Sequence, residues 1–132
     1  MVLTDRRKHL EDIYELVVKS NICSVGYYVG GMSRDKLKKS ESKQLLLATY
    51  AMAKEGLDIK TLNCLILASP KKDIVQAVGR ILRQKHKTIK PLIVDIVDNF
   101  SIFRNQAKIR QRLFKKRKYN IKNINYNLDN KL

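Results

Sequence analysis

The chain alternates short, almost wholly apolar runs with longer segments in which apolar positions recur at helical spacing. The apolar runs are Val2-Leu3-Thr4, Val25 to Val29, Leu45 to Ala48, Leu62 to Ala68 and Pro91 to Val97, each of strand length. Between them, Arg7 to Lys19 sets Leu10, Ile13, Tyr14, Leu16 and Val17 on one broad face and predicts a helix. Ser33 is suited to cap a short, very basic helix through Lys39. A short helix is predicted over Ala51 to Glu55, ending at Gly56. Another starts at a capping Asp73 and runs to about Arg83, and a long one spans Ser101 to Lys118. Continuous hydrophobic strands separated by helices predict an α/β fold, a parallel sheet with helices on both faces. In such sheets the crossovers are right-handed and ligands gather at the carboxyl ends of the strands. Almost nothing precedes the first strand, so the chain reads as a half-protein or as cut from something longer. Residues 119–132 carry five Asn and little periodicity; they are either a flexible tail or an arm that needs a partner.

Length and composition narrow the class without naming it. A chain of 132 residues, 44% hydrophobic and 30% charged, is globular and long enough to bury one core. No apolar run approaches the ~20 residues of a membrane helix, and no apolar segment of a secretory leader follows the start. An intracellular protein with no membrane partner is expected. The charge changes the picture more: 28 Lys and Arg stand against 12 Asp and Glu, a net +16. From Asn99 onward there are ten Lys and Arg and one acid, Asp129. A field of this sign draws polyanions, with nucleic acid the first expectation. An anionic membrane surface or an acidic protein would satisfy the same number, and charge that only solubilises is the plain alternative. Cys23 and Cys64 each sit in apolar runs and are expected as buried thiols, while His9 and His86 are isolated, so no metal site is expected.

Three constellations are candidates for chemistry. Gln76, Arg80 and Arg83 fall at i, i+4 and i+7, on one face of an otherwise aliphatic helix, with Gly79 opening space beside them. Unpaired cations in such surroundings need anionic partners; ordinary surface salt bridges are the competing explanation. The segment from Ala48 to Ile59 follows a buried strand directly. Thr49 and the free N–H groups of a strand-to-helix turn suit a phosphate. Glu55 and Asp58 flank Gly56, where they could accept from a ribose hydroxyl or an arginine; capping and turn duties fit Thr49 and Asp58 equally. In the last helix Arg104, Lys108, Arg112 and Lys115 form one basic face, with Ile102, Phe103, Ala107, Ile109, Leu113 and Phe114 as the apolar side. That face could follow a phosphate backbone, and calmodulin-type or membrane binding is permitted by the same pattern.

The order "ATYAMAKEGLDIKTLNCLILASPKKDIVQAVGRILR" resembles motifs V and VI of superfamily 2 helicases, in the form carried by helicases of large DNA viruses and their phage relatives. "VLTDR", Val2 to Arg6, is similar to motif IV of the same second RecA-like lobe, and the likeness spans Val2 to about Asp98. The resemblance implies a helicase lobe over residues 1–98, a basic amphipathic helix over 99–118 and a tail over 119–132. It implies that Arg83 is an arginine finger, with Arg80 on the γ-phosphate and Gln76 near the attacking water. Gly56 and Asp58, with Glu55 beside them, would face the ribose or the lobe interface, and Gly79 would admit the nucleotide. Thr49, Thr4 and Arg6 would touch the backbone of a bound strand.

The departures are as informative. "GYYVGGMS", Gly26 to Ser33, imitates the spacing of a phosphate-gripping loop, but Met32 stands where that loop requires lysine. A strand closed by a Gly-Gly turn explains it better. No acidic metal-holding motif is present either. ATP and Mg²⁺ are therefore expected only together with a first RecA-like lobe, in cis or in trans, and the chain alone should not hydrolyse ATP. A non-catalytic nucleic-acid-binding module from a split helicase, and a small α/β nucleotide-binding enzyme acting alone, are the alternatives.

Overall fold

In a computed structural model, residues 1–56, 58–82 and 88–127 are described, with the side chains of residues 56 and 80–82 left aside. The elements follow the hydrophobic pattern closely: β1 (Val2–Thr4), α1 (Arg7–Ser20), β2 (Val25–Tyr28), α2 (Arg34–Glu41), β3 (Leu45–Thr49), α3 (Tyr50–Gly56), β4 (Cys64–Leu67), α4 (Val75–Leu82), β5 (Leu92–Asp95) and α5 (Ser101–Lys116). Local signals set several boundaries. The Ser33 side chain accepts from the Lys36 N–H at 3.4 Å and starts α2. Asn21 ends α1 in the left-handed region at φ 47°, and Gly31 turns the chain after β2 at φ 86°, a conformation open to glycine.

All five strands are parallel, in the order β2-β3-β1-β4-β5. That order decides how the faces are covered. Only the β1-to-β2 crossover travels toward the β2 edge; the other three travel back toward β5. With right-handed crossovers, α1 lands alone on one face while α2, α3 and α4 land on the other. The α1 face holds a small cluster of Val2, Leu10 and Leu47 with Ile13, Tyr14 and Ile66 around it. The opposite face holds the main core, in which Leu3, Leu46, Ala48, Leu65 and Leu67 meet Ala53, Ile74, Val78 and Phe114.

Four expectations need correction. The sheet is not fully covered on both faces: beside α1, Leu92, Val94 and Ile96 stay 56%, 37% and 47% exposed, because among the described residues no second helix reaches β5 on that side. Leu16 is exposed, since it lies about a third of a turn from the stripe led by Leu10. Cys23 and Cys64 are free thiols, half-buried rather than buried. On α5 the exposed Ile102 and Ile109 are not part of the inward side; its fully buried residues are Arg110 and Phe114.

The last helix is no appendage. Phe114 belongs to the main core, and Leu113, Tyr119 and Ile121 pack against it. Lys118, at φ 56°, turns the chain so that the Tyr119 ring lies over Phe114, centroids 6.0 Å apart. Residues 119 and 121 are thus anchored, while residues 128–132 of the tail lie outside the described residues. Among the described residues no helix is long and apolar enough to cross a membrane. Because α5 shares the core, Phe114→Ala should lower the stability of the whole chain by about 3 kcal/mol, read as a shift of a single denaturant transition. A sheet transition that stays in place while α5 detaches would contradict this.

Candidate functional site

The carboxyl ends of the strands form one edge, where register sets Thr4 of β1 beside Thr49 of β3 and Leu67 of β4 beside Asp95 of β5. The segments leaving these ends are bonded to one another. Ser69, just past β4, accepts from the Asp5 N–H at 3.0 Å, and the Tyr50 hydroxyl donates to the Ser69 carbonyl at 2.8 Å. Burial pushes the Tyr50 hydroxyl's pKa well above the ordinary phenol value, so it remains protonated and can donate at any working pH. Lys71 pairs with Asp5 at 2.9 Å and lies 5.4 Å from the centre of the Tyr50 ring. Arg110 reaches in from α5 with its side chain only 2% exposed. Its Nε donates to Asp95 Oδ2 at 2.9 Å, its Nη2 approaches Oδ1 at 2.9 Å, and its Nη1 donates to the Lys71 carbonyl at 2.7 Å. Removing one member of a buried pair leaves an uncompensated charge and costs about 3–5 kcal/mol.

The predicted site residues divide by their surroundings. Thr4 is fully buried, and its hydroxyl accepts from the Arg6 N–H at 3.2 Å and lies 3.1 Å from His9 Nδ1. It braces the turn after β1 and offers no surface to a strand, which removes it from the backbone-contact set. Arg6, next to it, is exposed. Thr49 caps α3, accepting from the Met52 N–H at 3.3 Å, so the capping duty is present. Glu55 and Asp58 are exposed around the end of α3. On α4, which is capped by Asp73 accepting from the Val75 N–H at 3.3 Å, Gln76 is exposed opposite the buried Ala77 and Val78. A Cβ built on Gly79 would meet nothing within 4 Å, so the space beside it is open among the described residues. The surroundings of Gly56, the side chain of Arg80, and Arg83 altogether lie outside the described residues.

Arg104, Lys108, Arg112 and Lys115 are all exposed on α5, with Arg104 Nε and Nη2 held by Asn99 Oδ1. Sequence reasoning missed Asp5, Tyr50, Ser69, Lys71, Asp95 and Arg110. One signal was available for Arg110: with Phe103, Ala107 and Phe114 it recurs at spacings of four, three and four, the inward stripe of a helix.

A five-stranded parallel sheet in this order, with its polar residues gathered at the carboxyl edge, defines an α/β lobe of the RecA-like kind. Its solved counterparts agree on the fold. The C-terminal domain of the DEAD-box protein Dbp5 superposes with a TM-score of 0.64 at 16% identity, covering 87% of this chain and 67% of that one. S. cerevisiae Dbp5 bound to RNA and ADP BeF3 superposes with a TM-score of 0.58 at 19% identity, covering 86% of this chain and 31% of that one. No family model matches the sequence. Among relatives, the chain is 45% identical over 124 residues to "Putative ATP-dependent RNA helicase L396" of Acanthamoeba polyphaga mimivirus, covering 92% of this chain and 24% of that protein. It is 30% identical over 130 residues to "Putative ATP-dependent RNA helicase QP509L" of African swine fever virus, covering 92% and 25%. Over nearly its whole length the chain is thus similar to putative viral ATP-dependent RNA helicases, and its fold is that of a C-terminal RecA-like helicase domain. It spans about a quarter of the length of these relatives.

The edge network carries its own test. Tyr50→Phe should cost about 1 kcal/mol by denaturant titration, because it leaves the Ser69 carbonyl without its donor. An unchanged midpoint would show that water replaces the phenol at no cost.

Proposed function

We propose that this chain is the C-terminal motor lobe of an ATP-dependent nucleic-acid helicase or translocase, and that it closes on a first RecA-like lobe over a shared nucleotide. The observation that carries the reading is the 45% identity to the mimivirus protein over 92% of the chain, a span that includes the α3 and α4 segments. Exposed Gln76 and the open space at Gly79 support it, since among the described residues nothing covers this side of α4.

In this reading Arg83 is the arginine finger, Arg80 a second γ-phosphate contact and Gln76 the group that orients the attacking water. Phosphoryl transfer spreads negative charge over the equatorial oxygens, and a guanidinium held there stabilises the transition state by about 10³–10⁵ in rate. Gly56, Glu55 and Asp58 take the ribose or the facing lobe. Guanidinium and amide donors fit the outer phosphates of ATP. Among the described residues no group of three or more His, Cys, Asp or Glu is placed to hold a metal ion. Mg²⁺ would be held by the first lobe, where it would neutralise phosphate charge. Thr49 and Arg6 contact the backbone of the bound strand. The basic face of α5, Arg104, Lys108, Arg112 and Lys115, extends that track. Dbp5, a protein that contains a lobe of this fold, is solved bound to RNA and ADP BeF3.

The test combines this chain with a first lobe bearing a lysine-containing phosphate loop and measures nucleic-acid-stimulated ATPase activity. Arg83→Ala should lower the rate by about 10³ or more with the denaturation midpoint retained; full activity in that variant would remove the finger assignment.

A second reading, a nucleic-acid-binding module without catalysis, is favoured by the net +16 and the exposed cations of α5. It shares one measurement with the first. Single-strand affinity should fall with salt, and changing Arg104, Lys108, Arg112 and Lys115 together to Gln should flatten the log–log slope by about 3, at ~0.7 per phosphate contact. A slope that does not change would take α5 out of the binding track.

A further inference from the structure

We infer that Arg110 is the positioning residue of α4: by clamping the segment between β4 and α4 to the end of β5, it sets the direction in which α4 presents its polar side. The consequence for catalysis rests on the motor-lobe reading; the clamp itself does not.

The geometry is that of a bridge between two chain segments. An arginine that merely completed an ion pair would need only a carboxylate. Here Nε and Nη2 take Asp95, at the last position of β5, while Nη1 takes a main-chain carbonyl on a different segment, that of Lys71. Lys71 stands four residues before Val75, where α4 begins. The segment is pinned at three further points: Lys71 Nζ on Asp5, the Asp73 cap on the Val75 N–H, and Ile74 packed into the main core at 1% exposure. Ile74 shares the main core with Phe114 of α5, and the guanidinium adds the hydrogen-bonded link from α5 to α4's approach. The planar fork of arginine suits this task, because it can donate along one edge to a carboxylate and along another to a carbonyl. A lysine ammonium can neutralise Asp95 but lacks that fixed fork.

α5 is therefore two-sided. Its outward cations belong to the proposed strand-binding track, and its inward arginine holds the approach to the nucleotide-facing helix. A displacement of α5 along its axis would pull on the Lys71 carbonyl directly.

The experiment uses the 132-residue chain and two variants: Arg110→Lys and the double variant Arg110→Met/Asp95→Asn. The double variant removes the clamp without leaving a buried lone charge, so it should fold. Amide hydrogen exchange is compared between Val75–Leu82 and Arg7–Ser20. In the double variant, exchange over α4 should accelerate about tenfold while α1 stays within about twofold. Arg110→Lys should leave α4 nearly as fast as the double variant. Acceleration spread evenly over α1 and α4, or full protection of α4 restored by lysine, overturns the inference.

The second readout is ATPase activity with the first lobe present. The double variant should lower kcat about tenfold with KM held within about twofold, since α4 is misdirected rather than absent. An unchanged kcat overturns the positioning role. The two readings fail separately: full activity in Arg83→Ala strikes the motor-lobe proposal and leaves the exchange result standing, whereas uniform exchange strikes the clamp and leaves the Arg83 result standing.

Discussion

The structure depends on the register of its central strand. β1 has only three residues, yet it pairs with β3 on one side and β4 on the other, and all three are buried. Its alternation sends Val2 to the α1 face and Leu3 to the main core. A slip of one residue would exchange the two faces, sending Val2 toward the main core and Leu3 toward α1. The same register fixes the position of Asp5, and through it Ser69 and Lys71. The polar edge is thus built on an apolar decision made three residues earlier.

Charge in this chain is divided by partner. With 28 cations and 12 acids, most basic groups have no acid to meet. Two acids at the edge, Asp5 and Asp95, are engaged with Lys71 and Arg110. These pairs tie segments together, whereas the outward cations of α5 remain exposed to solvent. Location within one helix therefore separates two uses of the same residue type. Arg110 is held by geometry; Arg112, two residues on, contributes to the long-range field.

The fold was legible because each buried strand lies in an apolar run and several boundaries fall on recognisable residues: Ser33 before α2, Asp73 before α4 and Gly31 after β2. Resemblance then gave α3 and α4 their roles in prospect. What stayed hidden was long-range. Nothing local in the sequence joins Asp95 to Arg110 or Asp5 to Lys71, which lie 15 and 66 positions apart. The apolar side of α5 was misjudged because Ile102 and Ile109 outrank an arginine in hydropathy, while the packed stripe follows spacing instead. Thr4 was misassigned for a related reason: its hydroxyl is satisfied by the turn after β1, a bond that residue type alone does not reveal.

The uncovered side of β5 has a bearing on how the chain behaves in solution. Leu92, Val94 and Ile96 leave a ribbon of aliphatic surface on the strand that ends the sheet. At low ionic strength a net +16 keeps neighbouring copies apart and the ribbon is shielded by repulsion alone. Added salt shortens that repulsion to roughly 10 Å at 0.1 M without weakening aliphatic contact. Colloidal stability and the proposed binding of nucleic acid therefore pull in the same direction. Brine strong enough to strip a polyanion from the proposed track would also lower the charge barrier between one copy and the next.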